Sequence, residues 1–166
     1  MTTIASASLN QRYSPLRLSV IGGLILGMLH LIIQSWFVFS ILEKNPFISV
    51  LQYVASGAMG NAAFTGGPAT ALLGLVFDFI LTTIMSGVFI VSADRIPLLR
   101  RHVIPGSLLY GFGVFVAMNF IVLPLSAAPP LPAPPVWLFI EIILEHVLLI
   151  GLPLGLLVRW NDKTNR

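Results

Sequence analysis

Apolar stretches of about twenty residues recur four times along the chain, and short segments between them hold most of its charged residues. A helix that rises ~1.5 Å per residue needs about 20 apolar residues to cross the ~30 Å hydrocarbon core of a bilayer. The pattern therefore predicts an all-α membrane protein, a bundle of four transmembrane helices at about residues 18–42, 70–93, 103–125 and 136–158.

The composition excludes an ordinary soluble domain. Of the 166 residues, 57% are hydrophobic and 9% are charged, whereas about 25% of residues are charged in a typical soluble protein. The chain has no cysteine, which excludes a disulfide framework, an iron–sulfur cluster and a cysteine nucleophile. Its nine basic residues form no run interleaved with aromatic residues, so we predict no nucleic-acid partner.

The basic residues indicate the orientation, because Lys and Arg near span ends are retained on the cytoplasmic side. Lys44 is the one basic residue that four spans would place outward, and the eight others fall on the opposite side: Arg12, Arg17, Arg95, Arg100, Arg101, Arg159, Lys163 and Arg166. We therefore predict a multi-pass protein of the cell (inner) membrane with both termini in the cytoplasm. A cleaved signal peptide is the competing interpretation, but no small-x-small site follows the first apolar run before Glu43.

We predict a single transmembrane domain, residues 18–159, between a flexible cytoplasmic tail at 1–17 and a second cytoplasmic tail at 160–166. The outward segment 46–69 is too apolar for a solvated loop. It predicts a helix over Pro46–Ser56 that lies in the interface or re-enters the bundle, followed by a glycine-rich turn. Non-helical backbone at membrane depth must be buried by protein or face water, so this segment is expected to cap the outer end of the bundle.

Polar side chains from all four predicted spans fall at a similar depth. Counted at ~1.5 Å per residue from the outer ends, most lie roughly 9–14 Å into the membrane. Each intramembrane ionisable group costs about 2.5–3.5 kcal/mol on insertion scales, so it needs a partner, water or a ligand. We predict a polar layer whose ligand-binding or proton-relay candidates are His30, Asp78, Asn119, Glu145 and His146. The predicted supporting residues are Gln34, Thr82 and Glu141.

Each of these residues also has a structural interpretation. A hydrogen-bonded pair of His30 and Asp78 would orient two helices without further chemistry, and Asn119 is typical of helix–helix contacts. His146 fits an interhelical hydrogen bond, a proton-linked role or a metal or haem ligand, and Glu141 fits a hydrated position near the outer interface. The basic cluster after the second span is first a topology signal and second a site for lipid headgroups: Arg95, Arg100 and Arg101.

Three stretches resemble a family of small four-span bacterial membrane proteins whose activity is not established: LQYVASGAMGNAAFTGGPATALLGLVFDF, MNFIVLPLS and HVLLIGLPLGLLVR. The resemblance covers about residues 18–160. It associates an Asp with the first span and a His with an LGLxxHF motif in the second, where this chain has His30 and Asp78. The resemblance thus implies an exchange of partners, which a directly contacting pair would permit. It also matches the fourth-span His of the family to His146.

Three classes of function are compatible with these observations. In the first, the polar layer of a non-enzymatic membrane protein binds or relays a proton, an ion or a small ligand. A homo-oligomer would then be expected, because four spans are few for a transporter. In the second, the chain is a structural or assembly subunit of a larger membrane complex, and the layer serves packing. In the third, His30 and His146 hold haem b or a metal. We predict the lipid bilayer as a partner, no resident cofactor and no catalytic residues.

Overall fold

The structure is a computed structural model that describes residues 13–42, 46–130 and 134–163, with the backbone alone at 36–42 and 46. Eight helices and no strand occur in these residues: α1 Pro15–Leu42, α2 Pro46–Met59, α3 Gly67–Arg95, α4 Pro97–Arg101, α5 Val103–Ala117, α6 Leu123–Leu125, α7 Val136–Glu145 and α8 Leu152–Lys163. Proline begins α1, α2 and α4, where its fixed φ suits the first helical position and its missing N–H is not needed.

Three further turns connect the helices. A 3₁₀ turn, Gly60–Phe64, follows α2. Two π-helical turns continue longer helices without a break, since Met118–Val122 joins α5 to α6 and His146–Gly151 joins α7 to α8. Turns of this kind are rare and usually interrupt an otherwise regular α-helix for one turn.

Four helical segments are long and apolar enough to cross a membrane: Pro15–Ser35, Gly67–Arg95, Val103–Leu125 and Val136–Lys163. The prediction of an all-α chain with four such helices is confirmed for the described residues, and it is compatible with a multi-pass membrane protein. The second and fourth of these spanning segments extend beyond the predicted apolar spans, to Arg95 and Lys163. A helix can continue past the hydrocarbon boundary because its backbone bonds are satisfied internally. The orientation of the termini and the domain boundaries stay predictions.

Small residues bring α1 and α3 into close contact. A Cβ atom on Gly23 would lie 2.6 Å from the Cα of Thr83, and one on Gly27 would lie 2.7 Å from the ring of Phe79. Early residues of α1 thus meet late residues of α3, so the two helices run antiparallel. Close approach through glycine is the usual means of packing helices in lipid, where no hydrophobic force drives them together.

A second close crossing joins α5 to the helix formed by α7, its π-helical turn and α8. A Cβ on Gly111 would lie 2.5 Å from the carbonyl oxygen of His146, and one on Gly151 would lie 2.5 Å from that of Ser107. The two backbones therefore touch directly. Pairs of small residues four positions apart are buried in all four spans: Gly23/Gly27, Thr82/Ser86, Ser107/Gly111 and Gly151/Gly155.

The two helix pairs meet through α8, which packs against both α1 and α3. An apolar cluster fills this meeting point, at the end of the bundle where α1 begins and α3 ends: Leu18, Leu26, Phe89, Ile90, Ala93, Val103, Leu154 and Val158. The ionisable side chains within the spans, His30, Asp78, Glu145 and His146, lie toward the other end of the bundle, whereas buried serine hydroxyls also occur beside the cluster.

Helix α2 lies across α3 and also contacts α1. A Cβ on Gly74 would collide with the backbone carbonyl of Leu51, so α2 rests directly on the α3 backbone. Gln52 Nε2 donates to the Gly67 carbonyl over 3.2 Å. Burial raises the pKa of the half-buried Tyr53 phenol on the same helix. The expected helix after Pro46 is present, and its position relative to the bilayer stays a prediction.

The predicted N-terminal tail lies largely outside the described residues, which begin at Tyr13. Tyr13 donates its backbone N–H to Asn161 Oδ1 over 3.0 Å, and its ring stacks on that of Trp160 with centroids 5.6 Å apart. Tyr13, the first described residue, is therefore bound to α8. The predicted C-terminal tail likewise begins within α8, whose helix continues to Lys163.

Candidate functional site

A direct contact between α1 and α3 joins two residues of the predicted polar layer. His30 Nδ1 lies 2.6 Å from Asp78 Oδ1. The Asp78 side chain is 5% exposed, whereas 35% of the His30 side chain is accessible. Gly27, one turn before His30, lies against the ring of Phe79, the residue after Asp78, and this close contact of α1 with α3 brings the two side chains together. The imidazole is therefore the accessible member of the pair and the carboxyl is the enclosed one.

The carboxyl of Asp78 is only half satisfied. Its Oδ2 atom is buried and has no hydrogen-bond partner within the described part of the chain. Thr82, predicted as a supporting residue, donates its hydroxyl to the Asp78 backbone carbonyl over 2.9 Å rather than to the carboxyl. A buried carboxyl oxygen without a donor is costly, and such atoms commonly mark a water, ion or proton site.

A second polar contact joins α1 to α7. Gln34 lies one helical turn after His30, and its Nε2 donates to Glu145 Oε2 over 2.7 Å. Glu145 is the one buried residue of α7, all ten residues of which the structure describes. Because His30 and Gln34 occupy one face of α1, that face carries the partners of two carboxyl groups on two other helices.

His30 lies within electrostatic range of both Glu145 and His146. The layer thus gathers two enclosed carboxyl groups and two imidazoles. Lys and Arg, by contrast, occur only at the ends of the spans. Any positive charge that balances Asp78 and Glu145 must therefore come from an imidazolium, a proton or a bound cation.

Three other predicted residues take part less directly. His146 Nδ1 lies 2.8 Å from the carbonyl oxygen of Ile142 on its own helix, and its ring stands edge-on to Phe115 with centroids 5.7 Å apart. Asn119 Nδ2 donates to the Phe115 carbonyl, also on its own helix, over 2.9 Å. Glu141 is half-buried one turn before Glu145. His146 and Asn119 thus each contact a carbonyl oxygen of their own helix.

The residues described by the structure contain no group of three or more His, Asp or Glu side chains placed to hold a metal ion. Nδ1 of His30 contacts Asp78, and Nδ1 of His146 contacts a carbonyl oxygen of its own helix. Nε2 is the nitrogen of each ring that these contacts do not use. Neither observation tests the predicted absence of a cofactor, which stays a prediction.

The basic cluster has a structural use that the sequence did not predict. Arg100 Nη1 donates to Asp94 Oδ1 over 3.2 Å, and Nε donates to Asp162 Oδ2 over 3.1 Å. Nη2 also bonds to Oδ1 of Asp162. Arg100 thus ties α4 to the ends of α3 and α8. Arg95 and Arg101 are exposed, and the lipid-headgroup role of the cluster stays a prediction.

The sequence predicts only one part of the Gln34–Glu145 contact, namely the face of α1 on which Gln34 lies. The spacing of His30 and Gln34 places both on one helix face, but the order of the helices around α1 decides which carboxyl each one meets.

Comparison with protein-family models, curated proteins and solved structures found no match for the chain. Its function must therefore be argued from the site itself.

Proposed function

We propose that the chain is a non-enzymatic multi-pass membrane protein whose polar layer binds or relays a cation, the simplest being a proton. The observation that carries this proposal is the unpartnered, buried Oδ2 of Asp78. A contact that only fixed two helices would be expected to satisfy both oxygens of a carboxyl, whereas a binding site keeps an acceptor for its ligand.

The charge balance supports a cationic ligand. Asp78 and Glu145 are both enclosed, and no Lys or Arg within the spans can neutralise them. One imidazolium at His30 balances one carboxylate, so the second requires its own proton or another cation. An anionic ligand would add a third negative charge to the same region, which makes it the least favourable class.

The proposal is tested by ligand-induced stabilisation. A ligand that binds only the folded protein stabilises it by RT ln(1 + [L]/Kd), about 2.7 kcal/mol at a hundredfold excess over Kd. The purified protein is reconstituted in phosphatidylcholine vesicles, and its melting temperature is measured across pH and with Na⁺, K⁺ or Ca²⁺. We expect one of these cations or a fall in pH to raise the melting temperature of the unmodified chain, and Asp78→Asn to abolish the response.

Ser19→Ala is the matched control, because the Ser19 hydroxyl donates to the Pro15 carbonyl of its own helix, at the end of the bundle away from Asp78. It should keep the response. A folded unmodified protein that responds to none of these cations would favour the second candidate, a packing role in a membrane subunit. The haem and metal alternative is decided on the same sample, since a Soret band or stoichiometric metal would establish it.

A further inference from the structure

Helix α7 is held to the rest of the bundle in an unusual way. It packs against α5 and against its own continuation. Most of its side chains are accessible, among them Val136 at 76% and Ile140 at 51%. Its one buried residue, of the ten that the structure describes there, is the carboxyl-bearing Glu145. A polar group therefore occupies the position where an apolar side chain would normally anchor a helix.

Directly after Glu145 the helix changes its hydrogen-bonding pattern. The π-helical turn His146–Gly151 begins at the next residue. Such turns interrupt the regular ladder and are common where a helix bends or moves. The crossing of Gly111 with Gly151 fixes this turn against α5, and α8 beyond it packs on α1, α3 and α5. Among the described residues, α8 on one side of the turn packs on three helices, whereas α7 on the other side packs mainly on α5.

We propose that α7 is a gate over the polar layer, latched to α1 by the Gln34–Glu145 hydrogen bond and pivoting at the π-helical turn. Parting the latch moves α7 away from α1 and exposes His30 and Asp78 to water and cations. The inference rests on the proposed function for the purpose of the gate. The movement itself is independent of any ligand.

The latch predicts which substitutions open the gate. Glu145→Leu removes the acceptor and leaves Gln34 without its partner, although it adds no charge to the membrane. Glu145→Gln keeps a side-chain carbonyl that can accept the Gln34 N–H, so it should keep the gate closed. Both variants leave α1 unchanged.

The movement is measured by electron–electron distance spectroscopy between two spin labels. The chain has no native cysteine, so labels go only where cysteines are introduced. One label is placed at Leu72 of α3 and the other at Ile140 of α7, which are 62% and 51% exposed. The control pair keeps Leu72 and moves the second label to Leu156 of α8, which is 50% exposed. All samples are in phosphatidylcholine vesicles.

We expect Glu145→Leu to lengthen or broaden the Leu72–Ile140 distance by about 5 Å, the scale of one helical turn. The Leu72–Leu156 distance should stay unchanged, and Glu145→Gln should leave both as in the parent. An unchanged Leu72–Ile140 distance in Glu145→Leu would overturn the gate, as would equal changes in both pairs, which indicate general loosening. Because no cation is added, this result is separate from the stabilisation test of ligand binding.

Discussion

A carboxyl group within a membrane helix is stable only while something balances its charge, and Asp78 and Glu145 find different partners. Asp78 meets an imidazole that can carry a proton, whereas Glu145 meets an amide that cannot. The His30–Asp78 contact can therefore change its charge at both ends, and the Gln34–Glu145 contact only at one. This difference is why we assign ligand binding to the first pair and latching to the second.

At this scale we predict that His30 and Asp78 can exchange places. His30→Asp and Asp78→His each place two like groups together and should lower stability. The double variant should recover most of the loss, with a coupling energy on the order of 1 kcal/mol, as found for polar contacts in membrane proteins. The measurement is a double-mutant cycle of unfolding free energies in detergent. Purely additive losses would show that the 2.6 Å contact does not stabilise the fold.

At the scale of elements, the sequence predicts the helices better than it predicts the π-helical turns that interrupt them. Length and apolarity suffice to predict spans, because one residue of helix always contributes the same rise. The π-helical turn at His146–Gly151 has no such signal, since it coincides with a backbone crossing between two distant segments. Depth counting predicted a similar level for His30 and Asp78, and the two side chains are in contact. It could not predict that Gln34 meets Glu145, which depends on the arrangement of three helices.

The contact of α2 with α3 gives the prediction for this scale. Gly74→Ala places a methyl group against the rigid carbonyl of Leu51, so it should lower the unfolding free energy by about 1–3 kcal/mol. Gly113→Ala is the control, because a Cβ there meets no atom within 4 Å. It should be neutral or slightly stabilising, since alanine is the better helix former. Thermal unfolding of both variants decides between them, and an equally stable Gly74→Ala would contradict the close contact.

In the whole molecule, the ionisable side chains within the spans lie toward one end of the bundle and the apolar cluster lies at the other. Apolar side chains from α1, α3, α5 and α8 fill the end where α1 begins, and Arg100 ties the surrounding helix ends together outside them. The polar layer lies toward the end covered by α2. This division favours access to the layer from the α2 end, because the apolar cluster fills the interior at the opposite end.

The orientation of the whole molecule is predicted from its basic residues and can be measured directly. Cysteines introduced singly at Phe64, near the α2 end, and at Leu98, between α3 and α5, are 42% and 69% exposed in the parent. An impermeant maleimide should label Phe64→Cys in intact cells and Leu98→Cys only after permeabilisation. The cysteine-free parent provides the background. The reverse pattern would show that both termini face outward.

The contact of α2 with Gly74 also determines when α2 can pack on α3 during synthesis. α2 leaves the ribosome before α3, yet the backbone on which it rests lies within the second turn of α3. Until that turn has been made, the described neighbours of α2 are α1 and the adjoining 3₁₀ turn, Gly60–Phe64. The nascent chain must therefore hold an apolar helix without its main contact, and protease protection of α2 should rise once arrested chains are long enough for Gly74 to have left the ribosome.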